Sequence, residues 1–155
     1  VTNTDAEGRM VLADTIAHAL DELAPDVVVD VATLTGAMKI ALGVRTGGVF
    51  ASTPELRRAL VDAGDAVGEP WWPMPLTADL ETDVDSALAD VRQAPPGPGG
   101  IVAALFLRRF TAGRPWLHLD IAGPARCDSP HEEVAKGATG FAARTLVEFC
   151  RARTR

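Results

Sequence analysis

Residues 26–33, Asp-Val-Val-Val-Asp-Val-Ala-Thr, constrain the fold more than any other stretch of the chain. The run is β-branched and nearly all apolar. That suits a strand buried on both faces of a parallel sheet, where helices cover each side. The neighbouring segments supply such helices. From Gly8 to about Leu23, apolar residues fall at Met10, Val11, Ala13, Ala17 and Leu20, a helical stripe that stops before Pro25. After the run, Gly36 to Leu42 reads as a short helix ended by Gly43.

The alternation continues along the chain. Gly47 to Ala51 predicts a second strand. Thr53-Pro54-Glu55 then opens a helix, with a threonine cap and proline at the first helical position, that runs to about Val67. Trp71-Trp72-Pro73-Met74-Pro75 predicts an extended connection, because its prolines bar both a helix and a central strand. Thr77 to Gln93 is acidic and weakly periodic, and Pro95 to Gly100 is a loop. Ile101 to Phe110 reads as a strongly apolar helix, Trp116 to Ile121 as a strand and Gly140 to about Arg151 as the last helix. No internal repeat is present. Strands alternating with helices imply a three-layer α/β/α sandwich with a mostly parallel, mixed central sheet. Residues 1–155 fit one domain, long enough to bury roughly 70% of its unfolded surface.

Composition narrows the function by exclusion. No apolar run reaches the roughly 20 residues that a bilayer span needs, and VTNTDAEGR has neither the basic stretch nor the apolar core of a secretory signal. Cys127 and Cys150 have no CxxC spacing, so a reducing, cytoplasmic setting is expected. A net charge of −6 speaks against nucleic acid as a partner. The basic end, Arg151 to Arg155, reads instead as a helix C-terminus followed by a tail. Lysine occurs only at Lys39 and Lys136.

In open α/β sheets, ligands collect beyond the C-terminal ends of the strands. Immediately before the first helical stripe stands Asn3-Thr-Asp-Ala-Glu-Gly-Arg9, with Asp5 and Glu7 two positions apart. On an extended backbone residues i and i+2 point to the same side, so both carboxylates could reach one point. Divalent cations want such oxygens at about 2.0–2.2 Å. Arg9 adds a planar, permanently charged fork that can hold an anion beside them. The same residues also suit a plain helix start. The dipole favours acids in a first turn, and Asn3, Thr4 or Asp5 could cap it. Spacing leaves both readings open.

Five stretches, in order, resemble the leucyl aminopeptidases, the cytosol aminopeptidase family of dinuclear metallopeptidases. They are NTDAEGR (Asn3 to Arg9), DVATLTGA (Asp30 to Ala37), SALADVRQ (Ser86 to Gln93), GGIVAALFL (Gly99 to Leu107), and WLHLDIAG with KGATGF (Trp116 to Gly123, Lys136 to Phe141). The resemblance implies metal-dependent removal of N-terminal amino acids from peptides. It implies that Asp5 and Glu7 are metal ligands and that Arg9 acts, with a lysine, around a bound bicarbonate serving as general base. It makes Thr33, Leu34 and Gly36 candidate substrate contacts. From the residues alone, those three read as a strand end followed by a tight turn. The implied cofactors are two divalent ions, zinc or manganese, with magnesium or cobalt as substitutes. The implied assembly is a homo-hexamer.

One departure matters. The family's constellation also draws a lysine, two aspartates and a catalytic lysine from glycine-rich motifs upstream of NTDAEGR, and neither Lys39 nor Lys136 has a GKG-type context. The chain therefore reads as the C-terminal portion of a catalytic domain, expected to be inactive alone and to hold no metal. Two other readings compete. A non-catalytic binding or scaffold protein could retain the fold, against which stand the intact Asp5, Glu7 and Arg9. A Mg²⁺-dependent phosphoryl-transfer domain would need a GxxxxGK[ST] loop, which is absent. Among the remaining residues, His118 reads as structural, and Asp30 and Asp120 as partners of nearby backbone or loop groups. Trp71-Trp72 and the helix Ile101 to Phe110 read as interface. His131-Glu132-Glu133 lacks the second histidine of HExxH, having Ala135 there, and reads as a solvated loop.

Overall fold

In the computed structural model, which describes residues 1–153, the β-branched run becomes strand β1 (Val28–Ala32), and its sheet neighbour is the fourth strand in sequence. That strand, β4 (Trp116–Asp120), lies between β1 and β2 (Gly47–Ala51), and β3 (Trp71–Pro73) forms the far edge. β1 and β4 run parallel, as do β2 and β3, while β2 and β4 are antiparallel. The sheet is therefore mixed, with two of its three pairings parallel. Every residue of β4 is buried, as its central place requires.

Alternate β4 side chains feed two cores. Trp116 packs with α1 (Glu7–Leu23), α2 (Gly36–Leu42) and α4 (Gly99–Arg108) on one face, together with a 3₁₀ turn over Ala78–Val84. Leu117 and Leu119 pack with α3 (Pro54–Val67) and α5 (Ala143–Arg153) on the other. This is the three-layer sandwich that the alternation of strands and helices implied. Local signals held where they were strong. The Thr53 hydroxyl accepts the Leu56 N–H at 3.3 Å, with Pro54 in the first turn, and Gly68 ends α3 in the left-handed region at φ 71°.

Tertiary context corrected several local expectations. Trp71-Trp72-Pro73 is extended but also paired, as an edge strand, where proline costs no central ladder bond. Trp71 is not a surface residue. It is 5% exposed, its rings lie 4.9 Å from Phe141, and its Nε1–H donates to the Thr145 hydroxyl at 3.0 Å. Only Trp72 is outside. The apolarity of α4 likewise serves this chain's own interior, since Gly100 and residues 102–107 are all buried. A methyl group on Gly100 would sit 2.5 Å from the Met38 sulfur, so glycine is what lets α4 close on α2. The last helix starts at Ala143 instead of Gly140, because Gly140 and Ala142 have φ of 69° and 82°.

A two-stranded ribbon, β5 (Arg126–Cys127) with β6 (Gly137–Ala138), is too short to leave a periodic trace in the sequence. Arg151 and Arg153 lie in the last turn of α5 as expected, and the rest of that basic tail, Thr154 and Arg155, falls outside the described residues.

Candidate active site

The N-terminal end of α1 is built by Asn3. It is extended, and its Oδ1 accepts the Asp5 N–H at 2.9 Å, capping a 3₁₀ turn, Thr4–Ala6, that runs directly into α1 at Glu7. The backbone here is thus helical, not extended. Positions two apart on a helix diverge by roughly 200°, so the two-residue spacing does not by itself aim Asp5 and Glu7 at one point. What they share is the positive end of the α1 dipole. Both are exposed, and no ion pair engages either carboxylate among the described residues.

Arg9 is their opposite. It is 9% exposed, its Nη1–H donates to the Gln93 carbonyl at 3.0 Å, and its Nε has no hydrogen-bond partner. Among the described residues no carboxylate pairs with it, and burial pulls its pKa below the ordinary arginine value. A buried cation without a counter-ion is costly unless something anionic completes it. Two unengaged carboxylates and one uncompensated guanidinium therefore share a single helical turn.

The segment after β1 abuts this turn. A methyl group on Gly8 would lie 3.6 Å from Leu34 Cδ1. Asp120, at the C-terminal end of β4, holds the segment in place. Its carboxylate accepts the Leu34 N–H at 3.1 Å, the Thr35 N–H at 3.0 Å, the Thr35 hydroxyl at 2.8 Å and the Ala122 N–H at 3.1 Å. Burial pushes the Asp120 pKa up, against the His118 charge and these hydrogen bonds. Thr33 and Gly36 are exposed and Leu34 is half-buried. A methyl group on Gly36 would meet nothing within 4 Å, so this chain's own packing does not demand glycine there.

Deeper in the sheet, His118 is fully buried. Its Nδ1 lies 2.5 Å from Asp30 Oδ1, and the other Asp30 oxygen accepts Trp116 Nε1–H at 2.7 Å. The partners of Asp30 are thus side chains, not the backbone or loop groups expected from sequence. Parallel pairing of β1 with β4 is the reason, since it sets Asp30 opposite His118. His118 stacks with Phe50 and Trp116, at ring distances of 5.7 and 6.1 Å, in keeping with a structural role.

A cleft of about 250 Å³ opens elsewhere, lined among others by Arg45, Glu69, Cys127, His131, Glu133 and Arg144. Its main charges are matched internally. Buried Glu69 accepts the Thr145 N–H at 2.9 Å and hydroxyl at 2.6 Å, and Arg144 pairs with Glu133 at 2.7 Å and with Glu69 at 3.5 Å. A second hollow, of about 420 Å³, borders the start of α1 itself and is lined among others by Thr2, Met10, Arg92 and Gln93, so hollow space lies beside both groups of charge and unmatched charge is the better guide to chemistry.

Among the described residues, no three His, Cys, Asp or Glu side chains come together as a metal cage. Asp5 and Glu7 nonetheless fit a share of one. They are hard oxygen donors, free of competing ion pairs, and Arg9 beside them can balance an added anion. The structure thus sets the helix start that carries Asp5, Glu7 and Arg9 beside the 33–36 segment through the approach of Gly8 to Leu34. Sequence reasoning missed that Gln93 touches this turn; its only signal was membership of the SALADVRQ stretch.

Comparison with known proteins agrees with this placement of the fold. The model of the cytosol aminopeptidase family, catalytic domain, matches residues 1–147. A probable cytosol aminopeptidase of Streptomyces griseus is 53% identical over 152 residues, which cover 96% of this chain and 29% of that protein. One from Synechococcus is 47% identical over 154 residues, covering 98% of this chain and 30% of the relative. Among solved structures, the bottromycin maturation enzyme BotP superposes with a TM-score of 0.92 at 46% identity, over 99% of this chain and 34% of that one. A complex of BotP with Mn gives the same score and identity over 35% of its chain. A mutant tomato leucine aminopeptidase gives 0.88 at 42% identity, over 96% of this chain and 29% of that one. The chain thus spans about a third or less of the proteins it matches.

Proposed function

The chain belongs to the cytosol aminopeptidase family of metal-dependent aminopeptidases, and on that premise we propose that it is the C-terminal portion of a catalytic domain that removes N-terminal amino acids from peptides. The observation that carries this reading is the mismatch at the start of α1. Among the described residues, exposed carboxylates without ion pairs stand beside a buried guanidinium without a counter-ion.

In this reading Asp5 and Glu7 contribute carboxylate oxygens to two divalent ions, zinc or manganese, with magnesium or cobalt as substitutes. Such ions, when bound, polarise a scissile carbonyl and make a bound water more acidic. Arg9 stays charged despite its burial and presents its remaining N–H groups to an anion, either a bicarbonate or a developing oxyanion. Its tie to the Gln93 carbonyl keeps the guanidinium plane from following that anion. The Leu34 and Thr35 N–H groups are committed to Asp120, so a peptide would meet exposed Thr33, the Leu34 side chain and the open space at Gly36.

Two carboxylates are a share of a dinuclear shell, so the 155 residues alone are expected to bind divalent metal weakly and to turn over no substrate. In the intact protein the reading extends to a cytoplasmic homo-hexamer, for which exposed Trp72, Ile40 and Val44 offer apolar surface. Among the described residues no helix is long and apolar enough to cross a membrane. The test is hydrolysis of leucine p-nitroanilide by the full-length protein. Chelation should abolish turnover, and added Mn²⁺ or Zn²⁺ should restore it. Turnover that is indifferent to chelation, or no turnover with either metal, would overturn the proposal.

A further inference from the structure

We propose that Gln93 is the positioning residue of this site: its amide holds the turn that carries Asp5, Glu7 and Arg9 in its working shape. The claim rests on the aminopeptidase reading of that turn and goes beyond it by naming the group that sets its geometry.

Gln93 is 5% exposed and lies about ninety positions from the segment it touches. Its Oε1 accepts two backbone N–H groups, from Thr2 at 2.7 Å and Asn3 at 3.2 Å. Its Nε2 donates to two backbone carbonyls, of Asn3 at 2.9 Å and Ala6 at 3.2 Å. Its own carbonyl takes Arg9 Nη1–H at 3.0 Å.

A primary amide offers two donors and an oxygen with two lone pairs, so the side chain is fully used. Its orientation is also determined. Flipping the amide would set N–H against N–H and oxygen against carbonyl oxygen at four contacts. All four side-chain bonds go to main-chain atoms that bracket Asp5, with none to a side chain, so the amide acts on backbone shape. The Asn3 cap adds only one bond, to Asp5 N–H, within the turn itself. Without Gln93, residues 2–6 have no other long-range side-chain hydrogen bond among the described residues. Asp5 and Glu7 are exposed, and among the described residues no ion pair engages their carboxylates, so their placement follows the backbone of this turn. The same residue places the Arg9 fork. One side chain and one carbonyl therefore couple the carboxylate and guanidinium halves of the site.

The substitution that reads this most directly is Gln93→Glu, which keeps size and shape. It replaces the two Nε2 donors with an oxygen facing the Asn3 and Ala6 carbonyls. Gln93→Met, which keeps length but makes no strong hydrogen bond, serves as the second variant. Both belong in the full-length protein.

The first measurement needs neither metal nor turnover: amide hydrogen exchange of the peptide covering residues 1–9 in apo protein. Both variants should lose protection there while peptides of β4 and α4 keep theirs. The second is titration of the apo protein with Mn²⁺ alone, where affinity should fall roughly 10–100-fold, as for other groups that orient ligands. The third is the kinetic split. A fall in kcat should exceed the change in KM, because the ligand turn loosens while the 33–36 segment, held by Asp120, does not.

Unchanged exchange in residues 1–9, or Mn²⁺ affinity equal to wild type in both variants, would overturn the inference. Loss of protection spread through β4 and α4 would do so as well, since it marks a general fold prop. Wild-type protein that binds no Mn²⁺ and cleaves no peptide would instead defeat the functional proposal, and the exchange measurement would still judge the clamp.

Discussion

Two regions of this chain gather acids and arginines, and they treat them in opposite ways. Around Glu69 the charges close on themselves. The buried carboxylate caps the start of α5 through Thr145, and Arg144 bridges it to Glu133. At the start of α1, Asp5 and Glu7 stand exposed and, among the described residues, without ion pairs, while Arg9 is buried without a carboxylate. Each region borders a hollow, of about 250 and about 420 Å³, yet the chemistry of the first is already spent on holding α3, β3 and α5 together. The second has the unmet valence. Buried charge left unmatched is expensive, and the anion proposed beside Arg9 would relieve it.

The sharpest way to break this contrast is at Asp5 and Glu7. In the full-length protein, Asp5→Asn or Glu7→Gln should reduce metal affinity and turnover by more than roughly 100-fold, beyond the effect of outer groups that only orient ligands. Stability should move by less than about 1 kcal/mol, the scale of a lost charge at a helix end. Undiminished activity in dialysed variant enzyme would end the ligand assignment.

Arg9→Lys should cut kcat by roughly 10²-fold while metal content stays normal, because a point charge cannot replace a planar donor fork aimed at developing charge. Metal content falling as steeply as rate would make Arg9 a support of the fold instead.

Glu69→Ala probes the other region and should reverse the pattern. Removing a buried acceptor from Thr145 should cost about 1–3 kcal/mol, read as a shift in urea midpoint, with kcat/KM unchanged. A large loss of activity at unchanged stability would erase the distinction between the two regions.

The smallest effect concerns Asp120. Burial holds its pKa above the ordinary carboxylate value, so the folded chain binds its proton more tightly than the unfolded chain does. Its contribution to stability is therefore full below the unfolded value near about 3.9 and is lost as pH rises through the raised folded value. Relative to Asp120→Asn, the wild type should gain stability as pH falls across that window. A difference between the two that grows with rising pH there would show that the four hydrogen bonds, not desolvation, dominate.

How much of this was legible beforehand follows the range of the interactions. Thr53 and Pro54 announce α3 because a cap acts within three residues. The β-branched run announces a buried strand because period and branching are local. Asp5, Glu7 and Arg9 could be singled out from spacing and from resemblance, but spacing left an extended turn and a capped helix start both open, and the structure has the capped start, a 3₁₀ turn leading into α1. Trp71 was misplaced because nothing near it in sequence reveals that Phe141 and Thr145 arrive from seventy positions on. The apolarity of α4 was visible, but not that this chain's own layers would absorb it.

The sequence by itself thus determined the helices and the longer strands, their approximate ends and the residues able to do chemistry, since propensity, capping and side-chain type act over a few residues. Only the tertiary structure decided that β4 enters between β1 and β2, which sets Asp30 against His118 and Asp120 over Leu34 and Thr35. It alone brought Gln93 onto the turn of Asn3 and left Arg9 buried without a counter-ion among the described residues. These are matters of register and crossover between segments some 84 to 91 positions apart. Over such distances no local preference operates, and only the joint burial of both sheet faces selects the arrangement.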